Sequence, residues 1–149
     1  MKGTLKCSVD IEIDGGDGEF IIADKDKSLT INIGLAAITL PNLFSNLISL
    51  SSGKQTKFKL EQYGSGDYYL FVRDSNRIRI EEVRKPGGRD TYVFNFFEFL
   101  LVLEKGFDKF FAKLRRDGVL PLSDDKDEFM CPINEDVINS FNHFSKSLK

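Results

Sequence analysis

Four residues near the start of the chain have the types and spacing of the first positions of a calcium-binding loop. Asp10, Glu12 and Asp14 alternate along the chain, and Gly15 follows them where such a loop turns sharply. That loop also needs a bidentate glutamate at its twelfth position, which here is Ile21. Because isoleucines stand between the acids, the pattern is that of a half-buried strand. We therefore interpret the acids as the solvated face of a strand and predict no metal site.

A glycine-rich segment, Gly64-Ser65-Gly66, has the beginning of a phosphate-binding loop. The third glycine of that motif is replaced by Tyr69, and no glycine–lysine pair followed by serine or threonine completes it. A hairpin turn accounts for these glycines better. We accordingly predict that the protein uses no cofactor.

His143 is the one histidine of the sequence and the only candidate base for a serine or cysteine nucleophile. It lies in the last predicted helix but outside that helix's apolar stripe. The stripe consists of Val137, Phe141, Phe144 and Leu148. No spacing indicates a paired nucleophile or an orienting acid, so we predict a surface histidine, no catalytic residues and a protein that is not an enzyme.

A concentration of basic residues lies in the middle of the chain. Residues 54–89 contain nine lysines and arginines and five acids, although the whole chain has a net charge of −2. Strand alternation predicts that four of these cations share one side of a sheet with aromatic residues, a surface that can hold a phosphate backbone and stack bases. The predicted nucleic-acid face consists of Lys57, Lys59, Arg77, Arg79, Tyr69 and Phe71. The alternative is that the cations only keep the sheet soluble, which the acidity of the whole chain favours.

The elements that carry these residues follow from hydrophobic periodicity. Three strands precede a helix in residues 3–51, and four strands precede a longer helix in residues 54–117. We predict one domain, residues 1–149, which this order divides into two such units followed by an acidic loop and a short C-terminal helix. The predicted fold class is α+β: a largely antiparallel, twisted sheet of about six or seven strands covered on one face by helices.

The long helix, residues 95–117, is the best-defined element. Asn95 and Glu98 have the spacing of a capping box. Its buried face is predicted from apolar residues at intervals of three and four, namely Phe96, Phe99, Leu100, Leu103, Phe107, Phe110, Phe111 and Leu114. Gly106 interrupts the helix only as a tolerated weak point that costs about 1 kcal/mol relative to alanine.

The beginning of this helix is apolar on more than one face. Phe97 and Leu101 lie outside the buried stripe, so they must pack under a second layer or form an interface. An acidic loop would attract a basic partner. Its acids are Asp124, Asp125, Asp127 and Glu128. These features predict a non-catalytic binding module that interacts with proteins, either as an inhibitor or immunity-type protein or as a self-assembling subunit, with single-stranded nucleic-acid binding as the alternative.

Composition limits the remaining classes. Hydrophobic residues make up 41% of the chain and charged residues 30%, which is ordinary for a soluble globular protein. The uncharged stretch 28–53 is interrupted by polar side chains and Pro41, so it predicts no membrane span. No signal peptide is visible, and Cys7 and Cys131 lie far apart. We therefore predict a cytoplasmic protein with reduced thiols and no membrane partner.

Overall fold

The computed structural model describes residues 5–12, 16–62, 66–84, 87–118 and 133–149. In chain order the elements are β1 (Lys6–Ile11), β2 (Gly18–Ala23), β3 (Ser28–Ile33), α1 (Ala36–Ser52), β4 (Lys57–Glu61), β5 (Tyr68–Asp74), β6 (Arg77–Arg84), β7 (Gly88–Asn95), α2 (Phe96–Arg116) and α3 (Glu135–Ser147). All strand pairs are antiparallel. The predicted α+β class is confirmed.

The described strands form two sheets, so the prediction of one sheet of six or seven strands is wrong in this respect. The first sheet has the order β1-β2-β3, and the second has the order β4-β5-β6-β7. A side chain, not a strand, closes the edge of β3: the Tyr69 hydroxyl accepts a hydrogen bond from the backbone N–H of Asn32 at 2.9 Å. The Lys27 ammonium, in the turn between β2 and β3, donates a hydrogen bond to the Val93 carbonyl of β7. These side-chain bonds join the sheets without extending either ladder.

Helix α2 begins and ends where the capping signals predict. The Asn95 side chain accepts a hydrogen bond from the backbone N–H of Glu98 at 2.9 Å, which satisfies one of the free donors of the first turn. The cations Lys113, Arg115 and Arg116 lie in the last turn, where they offset the negative end of the helix dipole. The predicted long helix is therefore confirmed.

One helix packs on both sheets. In the N-terminal half of α2, the ring of Phe99 contacts the rings of Phe71 and Phe94 in the second sheet. In its C-terminal half, Phe107 contacts Phe20 of β2 with ring centroids 5.4 Å apart. The helix that ends the second sequence unit thus covers the sheet of the first, and the two units share one hydrophobic core.

Phe44 joins the three helices in the centre of this core. Its ring lies 5.1 Å from that of Phe107 in α2 and 5.5 Å from those of Phe141 and Phe144 in α3. Phe44 is fully buried. Because α3 packs mainly on α1, the contacts of Phe44 with Phe141 and Phe144 are a main part of the attachment of the C-terminal helix.

Gly106 marks the closest approach of α2 to a strand. A Cβ atom at this position would lie 2.7 Å from the Cys7 Sγ atom and 2.9 Å from the Cys7 carbonyl oxygen. Because both distances are shorter than any normal contact with a methyl group, glycine allows α2 to lie against β1. The interpretation of Gly106 as a weak point of the helix is therefore incomplete, since its absent side chain is a packing requirement.

We expect Gly106→Ala to lower the free energy of unfolding by about 1–3 kcal/mol, because overpacking outweighs the gain in helix propensity. Propensity alone predicts the opposite sign, a gain of about 1 kcal/mol. Urea denaturation measures the difference. Ala112→Gly, at an exposed position of the same helix, is the control for propensity. A stabilised Gly106→Ala protein would contradict the packing role.

Candidate functional site

Phe97 and Leu101 are large apolar side chains that the fold leaves in solvent. They are 50% and 53% exposed, whereas the neighbouring Phe96, Phe99 and Leu100 are buried. Because they are four residues apart on α2, they lie on one helical face as adjacent neighbours. No described element covers them, including α3, which packs on α1. We call Phe97 and Leu101 the α2 apolar pair.

Arg73 of β5 packs against Phe97, the aromatic member of this pair. Its guanidinium carbon lies 4.4 Å from the centre of the Phe96 ring and 5.5 Å from that of Phe97. The same group donates to the Leu50 carbonyl at 2.7 Å and to the Ser75 carbonyl at 2.9 Å. A guanidinium fixed by several carbonyls is a rigid platform, so the exposed Phe97 ring is held at little further entropic cost.

Arg73 also provides a positive charge at the C-terminal end of α1. Helix α1 has no basic residue in its last turn, where free carbonyls and the helix dipole attract a cation. Arg73 supplies this cation from the second sheet through its bonds to Leu50 and Ser51, the latter at 3.1 Å. In the sequence Arg73 is one of nine basic residues in the segment 54–89, and no local signal distinguishes it from the others.

The structure separates the predicted nucleic-acid face into two surfaces. Lys57, Lys59, Arg77 and Arg79 are all exposed on the outer side of the second sheet. Tyr69 and Phe71 lie on the opposite side, where they are buried and packed against the core. The physical reason is alternation: each aromatic residue pairs with an inward residue of β4, since Tyr69 is opposite Leu60 and Phe71 is opposite Phe58.

Acids interleave with the cations on that outer side. Lys59 lies 3.5 Å from Glu61, Arg79 lies 3.6 Å from Glu81, and Arg89 lies 3.0 Å from Glu81. Tyr68 is the aromatic residue that contacts one of these cations, with the Lys59 ammonium 4.7 Å from its ring. The cations of these pairs are at least 48% exposed, so the pairs contribute little to stability, but they reduce the positive field that a phosphate backbone would meet.

The other sequence candidates remain dispersed. Asp10 and His143 are exposed on different elements, β1 and α3. The predicted acidic interface residues lie outside the described residues, as do Asp14, Gly15 and most of the glycine-rich segment. These acids are Asp124, Asp125, Asp127 and Glu128. Within the described part of the chain, no three histidine, cysteine or acidic side chains form a group that could hold a metal ion.

Cys7 is a free thiol beneath α2. Burial raises the pKa of this thiol to about 12, because the surrounding protein disfavours the charged thiolate. Since the thiolate is the nucleophilic form, this cysteine is chemically quiet near neutral pH. Cys7 is partly buried and packs against the hydrophobic core.

Compared with known proteins, the chain matches no family model, no curated protein and no solved structure. None of the helices in the described ranges is long and apolar enough to cross a membrane.

Proposed function

We propose that this protein is a non-catalytic binding module that engages a protein partner through the α2 apolar pair, Phe97 and Leu101. The observation that carries the proposal is their exposure of 50% and 53% on a helix whose other large apolar side chains are largely buried. We place this module in the cytoplasm, acting as an inhibitor or immunity-type protein or as part of an assembly.

The spacing of the pair favours a partner that offers a groove. Apolar residues at positions i and i+4 of a helix are the anchors by which helices lie in apolar grooves of other proteins. Phe97 and Leu101 have this spacing, and charged residues follow them on the exposed surface at Lys105 and Asp108. An apolar centre with a charged border is the usual anatomy of a protein interface.

The support from Arg73 strengthens this proposal. Binding normally costs the entropy of immobilising the interface side chains. Because the guanidinium of Arg73 stacks on Phe96 and Phe97 and is itself held by backbone carbonyls, part of this cost is met during folding. Rigid aromatic anchors beside arginine are frequent among residues that dominate binding energy.

A photocrosslinking experiment tests the proposal. Benzoylphenylalanine in place of Phe97 retains an aromatic ring and should form one dominant protein adduct in a lysate of the source cells. The same crosslinker in place of the exposed Asp108 is the positional control. Leu101→Gln should abolish the adduct at position 97 while changing the free energy of unfolding by no more than about 1 kcal/mol, as for other exposed positions.

Light scattering after size-exclusion chromatography identifies the kind of partner. If the adduct is a dimer of this chain, and the unlabelled protein is a dimer that Leu101→Gln dissociates, the partner is a second copy. A monomeric protein that forms no more adduct from position 97 than from position 108 would overturn the proposal.

Single-stranded nucleic-acid binding, the alternative from the sequence, has less support. It retains the exposed cations Lys57, Lys59, Arg77 and Arg79, but not the stacking contribution of Tyr69 and Phe71, whose rings face the core. The interleaved acids Glu61 and Glu81 further weaken a phosphate-binding surface.

A further inference from the structure

A groove of about 330 Å³ lies between β1 and the C-terminal half of α2, away from the α2 apolar pair. One wall is the strand segment from Cys7 to Asp10, and the other is formed by α2 from Gly106 to Arg116. The two walls meet where Gly106 touches Cys7. The groove therefore opens from this contact between a strand and a helix.

The strand wall is the free edge of the first sheet. Among the described strands β1 pairs with β2 alone. The Glu12 N–H donates to the Asp17 carbonyl at 2.9 Å, so Glu12 directs its backbone N–H towards β2. Because backbone direction alternates along a strand, Val9 and Ile11 direct their backbone N–H and C=O groups away from β2.

A bond on the other side of the sheet gives the same alternation independently. The Asn32 N–H points away from β2, to the Tyr69 hydroxyl. Asn32 therefore makes no backbone bonds with Glu19, which lies opposite it in β2. Glu19 must instead form its backbone bonds with Asp10, its partner in β1. The residues flanking Asp10 therefore face the open edge. At Cys7 this edge is covered by Gly106, but Val9 lines the groove, where its backbone groups can accept an added strand.

The helix wall is cationic. Lys109, Lys113 and Arg116 line the groove and are exposed. Their spacing places them on one side of the helix, with successive rises of about 6 Å and 4.5 Å. Alternate side chains of an extended strand are about 6.8 Å apart, so acids at every second position of a bound strand would meet these cations. Asp10 is the acid in the lining, and within the described part of the chain none of the three cations forms an ion pair.

We propose that this groove binds an extended acidic peptide, which adds as a strand to the free edge of β1 while its alternate carboxylates contact Lys109, Lys113 and Arg116. Strand addition supplies affinity through main-chain hydrogen bonds, and the pattern of side chains supplies specificity. The site is separate from the α2 apolar pair, so this inference does not depend on the proposed function.

Fluorescence anisotropy with a labelled short peptide, in which glutamate alternates with valine, tests the charge requirement. Lys109→Glu combined with Lys113→Glu should weaken binding by about tenfold or more, since charge-assisted contacts are lost and repulsion replaces them. Lys105→Glu combined with Arg115→Glu makes the same change in net charge at exposed positions of α2 outside the groove lining. This matched control should weaken binding much less. Equal losses of affinity in the two double variants would show that only the net charge of the protein matters, and would overturn the proposal.

N-methylated peptides test the strand requirement without altering the protein. In an added strand every second amide faces β1 and the others face solvent. One alternating set of methyl groups should therefore abolish binding, and the complementary set should leave it nearly unchanged. If both sets act equally, or if a short single-stranded oligonucleotide binds more tightly with the same dependence on Lys109 and Lys113, the peptide-strand assignment is overturned. Dimerisation of the protein through β1, detected by light scattering and lost in the Val9→Pro variant, would instead identify a second copy and likewise overturn the assignment.

Discussion

Phe44→Ala is expected to lower the free energy of unfolding by about 3–5 kcal/mol, the range for removing a buried phenylalanine ring. Phe44 is fully buried and its ring contacts Phe107, Phe141 and Phe144. Its removal leaves a cavity between three helices that cannot collapse without moving all of them. Urea denaturation followed by circular dichroism measures the loss.

The same substitution should act first on the C-terminal helix. Because α3 packs mainly on α1, hydrogen exchange in residues 135–147 should accelerate more than in the second sheet, in which the stacked rings of Phe58 and Phe71 are 4.5 Å apart. Phe44→Leu retains much of the volume and should cost less than half as much. A loss below about 1 kcal/mol for Phe44→Ala, typical of a surface substitution, would contradict its central position.

Arg73→Ala is expected to lower the free energy of unfolding by about 2–3 kcal/mol, because hydrogen bonds from a charged donor are stronger than neutral ones. The substitution removes the donors to Leu50, Ser51 and Ser75 and leaves the end of α1 without a cation. It also removes the stacking partner of the Phe96 ring. Denaturation in urea measures this loss as well.

Two partial replacements separate the contributions of Arg73. Arg73→Lys keeps a charge near the end of α1 but not the planar fork, and Arg73→Met keeps only the apolar stem. We expect stability to decrease in the order arginine, lysine, methionine, alanine. Arg73→Met should also reduce the crosslinking yield from position 97. If the Arg73→Met variant were as stable as the unchanged protein, the hydrogen bonds to the carbonyls would contribute no net stability. The rigid position of Phe97 would then need another explanation.

The elements predicted from sequence are those specified by neighbouring residues. Asn95 and Glu98 placed the start of α2 because a cap is a contact over three residues. Alternation along β4 placed Lys57 and Lys59 on one side of the sheet, and the structure shows both exposed, with Phe58 and Leu60 buried between and beside them. The same alternation in β5 was harder to interpret, because apolar or aromatic residues occur on both of its faces, and Tyr69 and Phe71 were placed with the wrong neighbours.

Only part of the candidate site could be predicted from the sequence. The surplus of apolar residues in α2 identified Phe97 and Leu101 as unusual, and the structure leaves both exposed. Arg73 could not be found in the same way, because its partner Leu50 is 23 residues away in the chain. The requirement for glycine at position 106 depends on Cys7, in a different sequence unit. No periodicity reports contacts over such separations.

By itself the sequence determined the helices, the strands and most of the buried faces of this protein, because these follow from residues within one or two turns or a few alternations of each other. Tertiary structure alone decided that the strands form two sheets, that α2 bridges them, and that Arg73 supports Phe97. It also decided that Tyr69 bonds to the edge of β3, and that β1, which pairs with β2 alone among the described strands, lies beside three cations of α2. The physical reason is that hydrogen bonds, close packing and charge at these places are made between distant segments, and their energies depend on distances that exist only once the chain has folded.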